Sequence, residues 1–326
     1  MMKKVSVVMC TYNGECFLRE QLDSIINQTY PIYELLIQDD LSTDTTWNIL
    51  QEYEAKYSFV KVLRNEQNLG VAENFKRIFY LAAGDYIVVS DQDDIWLNNK
   101  IECMLNAIGD NLLVASASYS IVETYSESMF GLLNSTVPNN LFLPLRYVAL
   151  QATLSGHDIL FNKELLSYIP EHFWKCFWYD FCLAIVAIGL NKATYLDKYL
   201  TIWRRHITAY TYSERKDIWR IKMKELILII FNRKARISLG LFYSTFKFVL
   251  LNNEKASGFA SYMEKGSLFK VCFYTLKHKA DFVDKSVPMF RSLIRAFLIP
   301  LLTYRNIKNW NSMYLNEATK CSKVNL

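Results

Sequence analysis

From Lys4 to Ser118 the sequence alternates between short β-branched runs and longer segments whose apolar residues recur every three or four positions. The runs Lys4–Met9, Glu34–Gln38, Val60–Leu63, Tyr86–Ser90 and Leu112–Ser118 read as strands. Between them Phe17, Leu18, Leu22, Ile25 and Ile26 share one helical face, Ser42 offers a cap for a helix over Thr45–Tyr57, and further helices are predicted over 71–83 and 96–108. Strands separated by helices cannot pair as hairpins, so the pattern predicts an α/β fold, a mostly parallel sheet flanked by helices. Ligands of such sheets bind beyond the carboxyl ends of the strands.

The residues at those ends are unusually polar. Thr11, Tyr12 and Asn13 follow the first strand, Asp39 and Asp40 the second, and Asp91, Gln92, Asp93 and Asp94 the fourth. Two carboxylates about 5 Å apart at an effective dielectric of roughly 20 repel by about 3 kcal/mol, a large fraction of a domain's net stability. A divalent cation removes that cost, and oxygen ligands without sulfur suit Mg²⁺ or Mn²⁺. The plainer alternative is local: Asp94 is placed to cap a helix near Trp96, and Asp39 and Asp40 to form the turn before Ser42. Asp91 and Asp93, on one edge with the other two clusters, favour a ligand site.

Composition narrows the partners. Hydrophobic residues make up 52% of the 326, which excludes a disordered chain. The net charge of +5 conceals a division, for residues 1–213 carry 16 Lys and Arg against 24 Asp and Glu, and residues 214–326 carry 21 against 8. That shift divides the chain into a domain over 1–213 and a basic, mainly helical extension over 214–326. Seven scattered cysteines without a CxxC pair favour neither a disulfide framework nor a zinc site, and point to a reducing, cytoplasmic setting. The N-terminal apolar run breaks too early for a signal peptide, and no apolar stretch approaches the ~18 residues of a membrane span. In the extension, Lys222, Lys224, Arg233, Lys234 and Arg236 flank Leu226–Phe231, while Arg291, Arg295 and Arg305 flank Ala296–Tyr304. Such segments suit an anionic membrane surface and predict peripheral attachment to the inner face of the cell membrane; a solvated helical extension is the alternative. Nucleic acid is not an expected partner, because the first domain is acidic and carries no helix-turn-helix, zinc or RNA-recognition signature.

Taken in order, VSVVMCTYNG, QLDSIINQTYP, ELLIQDDLSTDTT, NLGVAENF, GDYIVVSDQDDIW and NKIE resemble the family 2 inverting glycosyltransferases of the GT-A fold, in their rhamnosyltransferase-like branch. The resemblance covers about residues 3–210. It implies a Rossmann-like nucleotide-diphospho-sugar transferase that moves a sugar from a nucleotide-diphosphate sugar donor, dTDP-L-rhamnose or a UDP-hexose. The acceptor it implies is a hydroxyl of a saccharide or lipid-linked molecule in cell-surface polysaccharide biosynthesis. On that pattern Thr11 and Tyr12, with Asn13 beside them, match the base-binding loop, and Asp40, with Asp39 as its neighbour, the acid that contacts the donor base. Asp91, Gln92 and Asp93 match the DxD segment, with Asp93 and its neighbour Asp91 on the metal and Gln92 at a ribose or phosphate.

The family's catalytic aspartate, often written within HDWW, corresponds to Asp180 in WYDFC, which would deprotonate the acceptor hydroxyl. Tyr179 replaces the histidine and Phe181-Cys182 the paired tryptophans, so the acceptor pocket departs from the pattern; a helix cap is the local alternative for Asp180. A Tyr-Arg-Gln-His motif corresponds to Trp203, Arg204, Arg205 and His206, implying Arg204 on the diphosphate and His206 on the metal. His157, in LSGHDILFNKELL, lies in a segment resembling the acceptor-side strand and takes no assigned role. Trp174 and Trp178 read as core more readily than as a sugar platform.

Other classes are separable. An oxidoreductase would need GxGxxG after the first strand and a P-loop enzyme GxxxxGK[ST]; the sequence has neither. A nucleotidyltransferase would release pyrophosphate and leave the Asp180 segment unexplained. A non-catalytic assembly subunit that kept the fold would bind donor without turnover.

Overall fold

The computed structural model describes residues 2–122, 154–206, 243, 247–250, 252–265, 268–283, 288–294 and 296–297. The β-branched runs form β1 (Val5–Thr11), β2 (Glu34–Asp39), β3 (Val60–Arg64) and β4 (Tyr86–Ser90), mutually parallel and joined by α1 (Leu18–Ile26), α2 (Thr46–Lys56) and α3 (Val71–Leu81). The sheet continues with β5 (Ile95–Trp96), α4 (Lys100–Ile108), β6 (Leu113–Val122), β7 (Ile159–Asn162), α5 (Tyr179–Gly189) and β8 (Ala193–Arg205). Its eight strands lie in the order 3-2-1-4-7-6-8-5, with β6 and β8 parallel, β7 antiparallel to both β4 and β6, and β5 antiparallel to β8.

Both faces of the sheet are covered, which is why its inner strands are apolar throughout rather than alternating. Val8, Leu36, Ile87 and Val89 face Phe75, Ile78 and Phe79 of α3 and the apolar α5. Val7, Met9, Leu35, Ile37 and Val88 face Leu18, Leu22 and Ile25 of α1, Ile49 and Leu50 of α2, and Met104 and Leu105 of α4.

Two local expectations fail. The helix predicted from Trp96 begins only at Lys100, with Asn99 at its cap, because Ile95 and Trp96 instead pair with Ile202 and Thr201 of β8. Asp94 therefore caps no helix and is fully buried. Ser42 does not cap α2, whose N-cap is Thr45; its hydroxyl donates to Asp39 and accepts from the Asn13 N–H. In both places a contact distant in sequence overrides the local pattern.

The predicted boundary at 213 and 214 lies outside the described residues, as do the apolar segment 226–231 and most of 296–304. The described part of the C-terminal third includes α6 (Glu254–Lys265) and α7 (Leu268–Lys277), and Leu250, Phe259, Val271 and Phe282 join the core that holds α5. Gly189 makes this docking possible, since a Cβ there would lie 2.0 Å from the Val249 carbonyl oxygen. Asn191 Nδ2 donates to the Asn252 carbonyl at 2.6 Å and Asn253 Nδ2 to the Ile188 carbonyl at 3.2 Å. No helix among the described residues is long and apolar enough to cross a membrane. Gly189→Ala is expected to lose about 1–3 kcal/mol in chemical denaturation; an unchanged midpoint would contradict this tight contact.

Candidate active site

The winding of the sheet reverses between β1 and β4, and the polar loops gather at that crevice. One side chain spans it. Gln92 Oε1 accepts from the Tyr12 N–H at 2.9 Å and Gln92 Nε2 donates to the Tyr12 carbonyl at 3.1 Å, extending the β1–β4 ladder beyond the strands. Gly14 leaves room for it, because a Cβ there would lie 2.3 Å from Gln92 Oε1. Gln92 therefore clamps the loop after β1 to the loop after β4.

The loop after β2 is equally tied down. Asp39, fully buried, accepts from Thr11 Oγ1 at 3.1 Å, the Ser42 N–H at 3.1 Å and Ser42 Oγ at 2.5 Å, with Arg64 Nε 3.4 Å away. Asn13 sits at φ 49°, a left-handed conformation that asparagine tolerates, and accepts from the Thr43 N–H at 2.9 Å. Asp40, also buried, accepts from Asn65 Nδ2 and the Leu69 N–H at 2.7 Å each and from the Gly70 N–H at 2.9 Å. Burial pushes its pKa up, but the hydrogen-bond donors of residues 65–74 outweigh burial and hold the carboxyl below its ordinary value. Thr11, Asn13, Asp39 and Asp40 thus meet as a hydrogen-bonded frame, with both carboxylates turned into it, and Tyr12 beside them is half exposed.

The acidic run after β4 divides between two histidines. The antiparallel register Tyr86↔Asn162, Ile87↔Phe161 and Val88↔Leu160, continued beyond the strands, sets Asp91 opposite His157, and their Oδ2 and Nδ1 atoms are 3.0 Å apart. The same nitrogen lies 3.5 Å from Asp94 Oδ2, and His157 Nε2 lies 3.4 Å from Asp158 Oδ2. Buried Lys100 completes the cluster, its Nζ donating to the His157 carbonyl at 2.5 Å and to Thr201 Oγ1 at 2.7 Å, 4.1 Å above the Trp96 ring. Burial pushes Asp94 up to about 8, with Asp91 and Asp93 adding to the shift and His157 opposing it. Burial draws Lys100 down to about 8 against the pull of Asp158, Asp94 and Asp91. For His157 burial acts downward, but the surrounding carboxylates win and hold it well above its ordinary value.

The second pairing exposes more of its histidine. Asp93 Oδ2 lies 2.9 Å from His206 Nε2, with the two side chains 18% and 15% exposed, and Phe17 packs on the imidazole at 4.6 Å between centroids. Burial and the Asp91 carboxylate raise the Asp93 pKa, while His206 lowers it. β5 produces this geometry by laying the acidic run along the end of β8, where Asp94 Oδ1 accepts from the Arg204 N–H at 3.2 Å. The Arg204 side chain is buried, with Nη2 2.5 Å from Glu20 Oε2 and its guanidinium 4.4 Å from the Phe17 ring, so it braces the end of β8.

Asp180 stands in the first turn of α5, whose N-cap is Trp178, and its Oδ1 accepts from the Phe181 N–H at 2.8 Å. Tyr179 fixes this helix start to the site. Its ring lies 4.2 Å from that of Phe75, and its hydroxyl would be 2.0 Å from a Cβ on Gly156, the neighbour of His157. Burial first, then the Asp91 and Asp180 carboxylates, hold the Tyr179 pKa well above its ordinary value, so one phenol feels both acids. Trp174 is buried against Phe79, as a core residue.

The pattern of the glycosyl transferase family 2 matches residues 6–162. The dTDP-rhamnosyl transferase RfbG of Shigella flexneri is 35% identical over 217 residues, 61% of this chain and 71% of that one. The chain belongs to glycosyl transferase family 2. An Escherichia coli relative, the UDP-Glc:alpha-D-GlcNAc-diphosphoundecaprenol beta-1,3-glucosyltransferase WfgD, is 32% identical over 124 residues, 37% of this chain and 48% of that one. Among solved structures, S. aureus TarS 1-349 in complex with UDP-GlcNAc superposes with a TM-score of 0.52 at 20% identity, covering 98% of this chain and 90% of that one. The mannosyltransferase PcManGT from Pyrobaculum calidifontis, in complex with GDP-Man and Mn²⁺, gives 0.50 at 16% identity, covering 98% and 87%. At these identities the likeness establishes the GT-A fold.

In this transferase the residues that sequence reasoning left without a role are His157, Asp158 and Lys100. The signal for the first two was a charged pair inside the apolar run LSGHDILF. Lys100 stands in the NKIE motif, to which the resemblance gave no separate role. His157→Leu strips the buried carboxylates of their counter-charge and is expected to cost about 3–5 kcal/mol, measured by urea denaturation; a loss below about 1 kcal/mol would contradict the pairing. Asp40→Asn replaces an acceptor by a donor facing N–H groups and is expected to cost about 2 kcal/mol at neutral pH. Because the folded-state pKa of Asp40 is depressed, its contribution is present above the unfolded value of about 4 and lost as pH falls through the folded one, so the two proteins should converge in acid.

Proposed function

We propose that this transferase is an inverting, Mg²⁺- or Mn²⁺-dependent enzyme that moves L-rhamnose from dTDP-L-rhamnose to a hydroxyl of a saccharide or lipid-linked acceptor during cell-surface polysaccharide synthesis. The observation that carries the reaction type is the meeting of Asp93 with His206 at 2.9 Å, beside Asp91, in the crevice between β1 and β4. Rhamnose is favoured by the identity to the Shigella enzyme, and a UDP-hexose, the second reading, by the similarity to the E. coli glucosyltransferase.

The donor set suits a divalent cation. Two carboxylates and one imidazole match Mn²⁺, and Mg²⁺ when more water completes the shell. Asp93, Asp91 and His206 would hold the ion, which when bound neutralises charge on the departing diphosphate. Among the described residues, the trio whose ligand atoms lie within 4.8 Å of one another is Asp91, Asp94 and His157. There Asp94 and His157 are buried and balanced by Lys100 and the Arg204 N–H, which favours the Asp93 and His206 side.

Asp180 acts as the base. It takes the proton of the acceptor hydroxyl as that oxygen attacks the anomeric carbon opposite the diphosphate; the bond to the diphosphate oxygen breaks and the configuration inverts. This aspartate stands in the first turn of α5. Half-exposed Tyr12 offers an aromatic face to the donor base, while Thr11, Asn13, Asp39 and Asp40 shape the wall behind it. Residues 1–213 form the transferase domain in this reading, and the basic 214–326 attaches it peripherally to the inner face of the membrane, supported by the charge division of the chain.

Nucleoside diphosphate release across a panel of donors tests the proposal. Turnover should be highest with dTDP-L-rhamnose, be abolished by chelator and by Asp93→Ala, and fall about 10²–10⁴-fold in Asp180→Asn. Full activity in Asp180→Asn would reject the base, and chelator-insensitive turnover would reject the ion.

A further inference from the structure

The described C-terminal helices carry an apolar stripe that the transferase site does not use. In the helical turns at 289–294 and 296–297, Phe290, Ile294 and Phe297 recur at i, i+4 and i+7. Met289 is 73% exposed, Phe290 74% and Ile294 44%. The stripe crosses to α7, where Phe273, 62% exposed, meets the Phe297 ring edge-on at 6.3 Å between centroids. The orientation is held from behind: Ser292 and Ala296 are buried, and Thr275 Oγ1 of α7 donates to the Ala296 carbonyl at 2.7 Å. Exposed Lys270 and Lys277 stand one turn to either side of Phe273, and exposed Arg291 follows Phe290.

A lone exposed leucine or phenylalanine is ordinary, but several large apolar side chains in one stripe rimmed by cations mark a binding surface. The charge of this region selects the occupant. Residues 214–326 carry 21 Lys and Arg against 8 Asp and Glu, so a second copy of this face would be repelled and a layer of anionic headgroups attracted. We propose that Met289, Phe290 and Ile294, continued by Phe273, form a wedge that enters the surface of an anionic bilayer and holds the transferase there. This rests on the peripheral attachment proposed above and names its contact, and it is independent of the donor chemistry.

Flotation of the full chain with vesicles tests it. Vesicles of phosphatidylcholine and phosphatidylglycerol should carry the protein up the gradient, and phosphatidylcholine alone should carry much less. The Met289→Ser/Phe290→Ser protein should partition about tenfold or more weakly into the anionic vesicles. Its thermal melt and its nucleoside diphosphate release in free solution should be unchanged, since both residues point to solvent. Phe273→Ser should weaken partitioning in the same sense, and Tyr80→Ser, exposed on α3, should not. A wild-type protein that stays below both vesicle types would overturn the proposal. So would a double variant that floats as well as wild type, or a doubling of mass in solution that the same two substitutions abolish, which would make a second copy the occupant. Absence of nucleoside diphosphate release with flotation intact would instead reject the transferase chemistry and leave the wedge standing.

Discussion

Asp91, Asp93 and Asp94 can crowd the end of one strand because His157, Lys100 and His206 are brought against them from three other elements. Carboxylates this close repel by several kcal/mol unless counter-charge is supplied, and here the protein supplies most of it before any ligand arrives. Much of the topology serves this delivery. β7 runs against β4, so the residues that precede it reach the carboxyl end of the crevice and bring His157 to Asp91. β5 runs against β8 and carries Asp93 and Asp94 to the end of that strand. The two strands that depart from the parallel rule are thus the ones that assemble the acidic arm.

The same counter-charges make the three acids unequal. Asp94 is buried among His157, Lys100 and the Arg204 N–H and has become part of the floor. Asp91 bridges, one oxygen on His157 and the side chain still partly open. Asp93 pairs with the more exposed of the two histidines, an imidazole held at the edge by Phe17. On the other side of the crevice, Gln92 locks the acidic arm to the β1 loop through the Tyr12 backbone. Precise placement of charge is what a transferase needs where a diphosphate departs, and buried strand ends give it more rigidly than free loops would.

The sequence made plain whatever depends on neighbours along the chain. The β-branched runs, the amphipathic α1 and α3, and the polar residues after β1, β2 and β4 were all legible, and Tyr86–Ser90 matched to the residue. What escaped depends on pairings between distant residues. Ile95 and Trp96 continue a helical pattern locally and become a strand only because β8 is there to pair with. Gln92 and Arg204 carry groups that suit a phosphate or a sugar, and the sequence does not show that Tyr12 and Glu20, 80 and 184 residues away, are their partners within the chain. His157 stands out as part of a charged pair in an apolar run, but its partner follows only from the register between β4 and β7, set by two strands 66 residues apart at the point of contact.

The most direct measurement is anomalous diffraction from crystals of the full chain grown with Mn²⁺ and a nucleoside diphosphate. The predicted result is one peak bonded to Asp93, Asp91 and His206, with His157 still paired to the other oxygen of Asp91 and Asp94 still buried behind them. A peak lodged between Asp91, Asp94 and His157, with that histidine turned from counter-charge into ligand, would contradict the division of roles among the three acids.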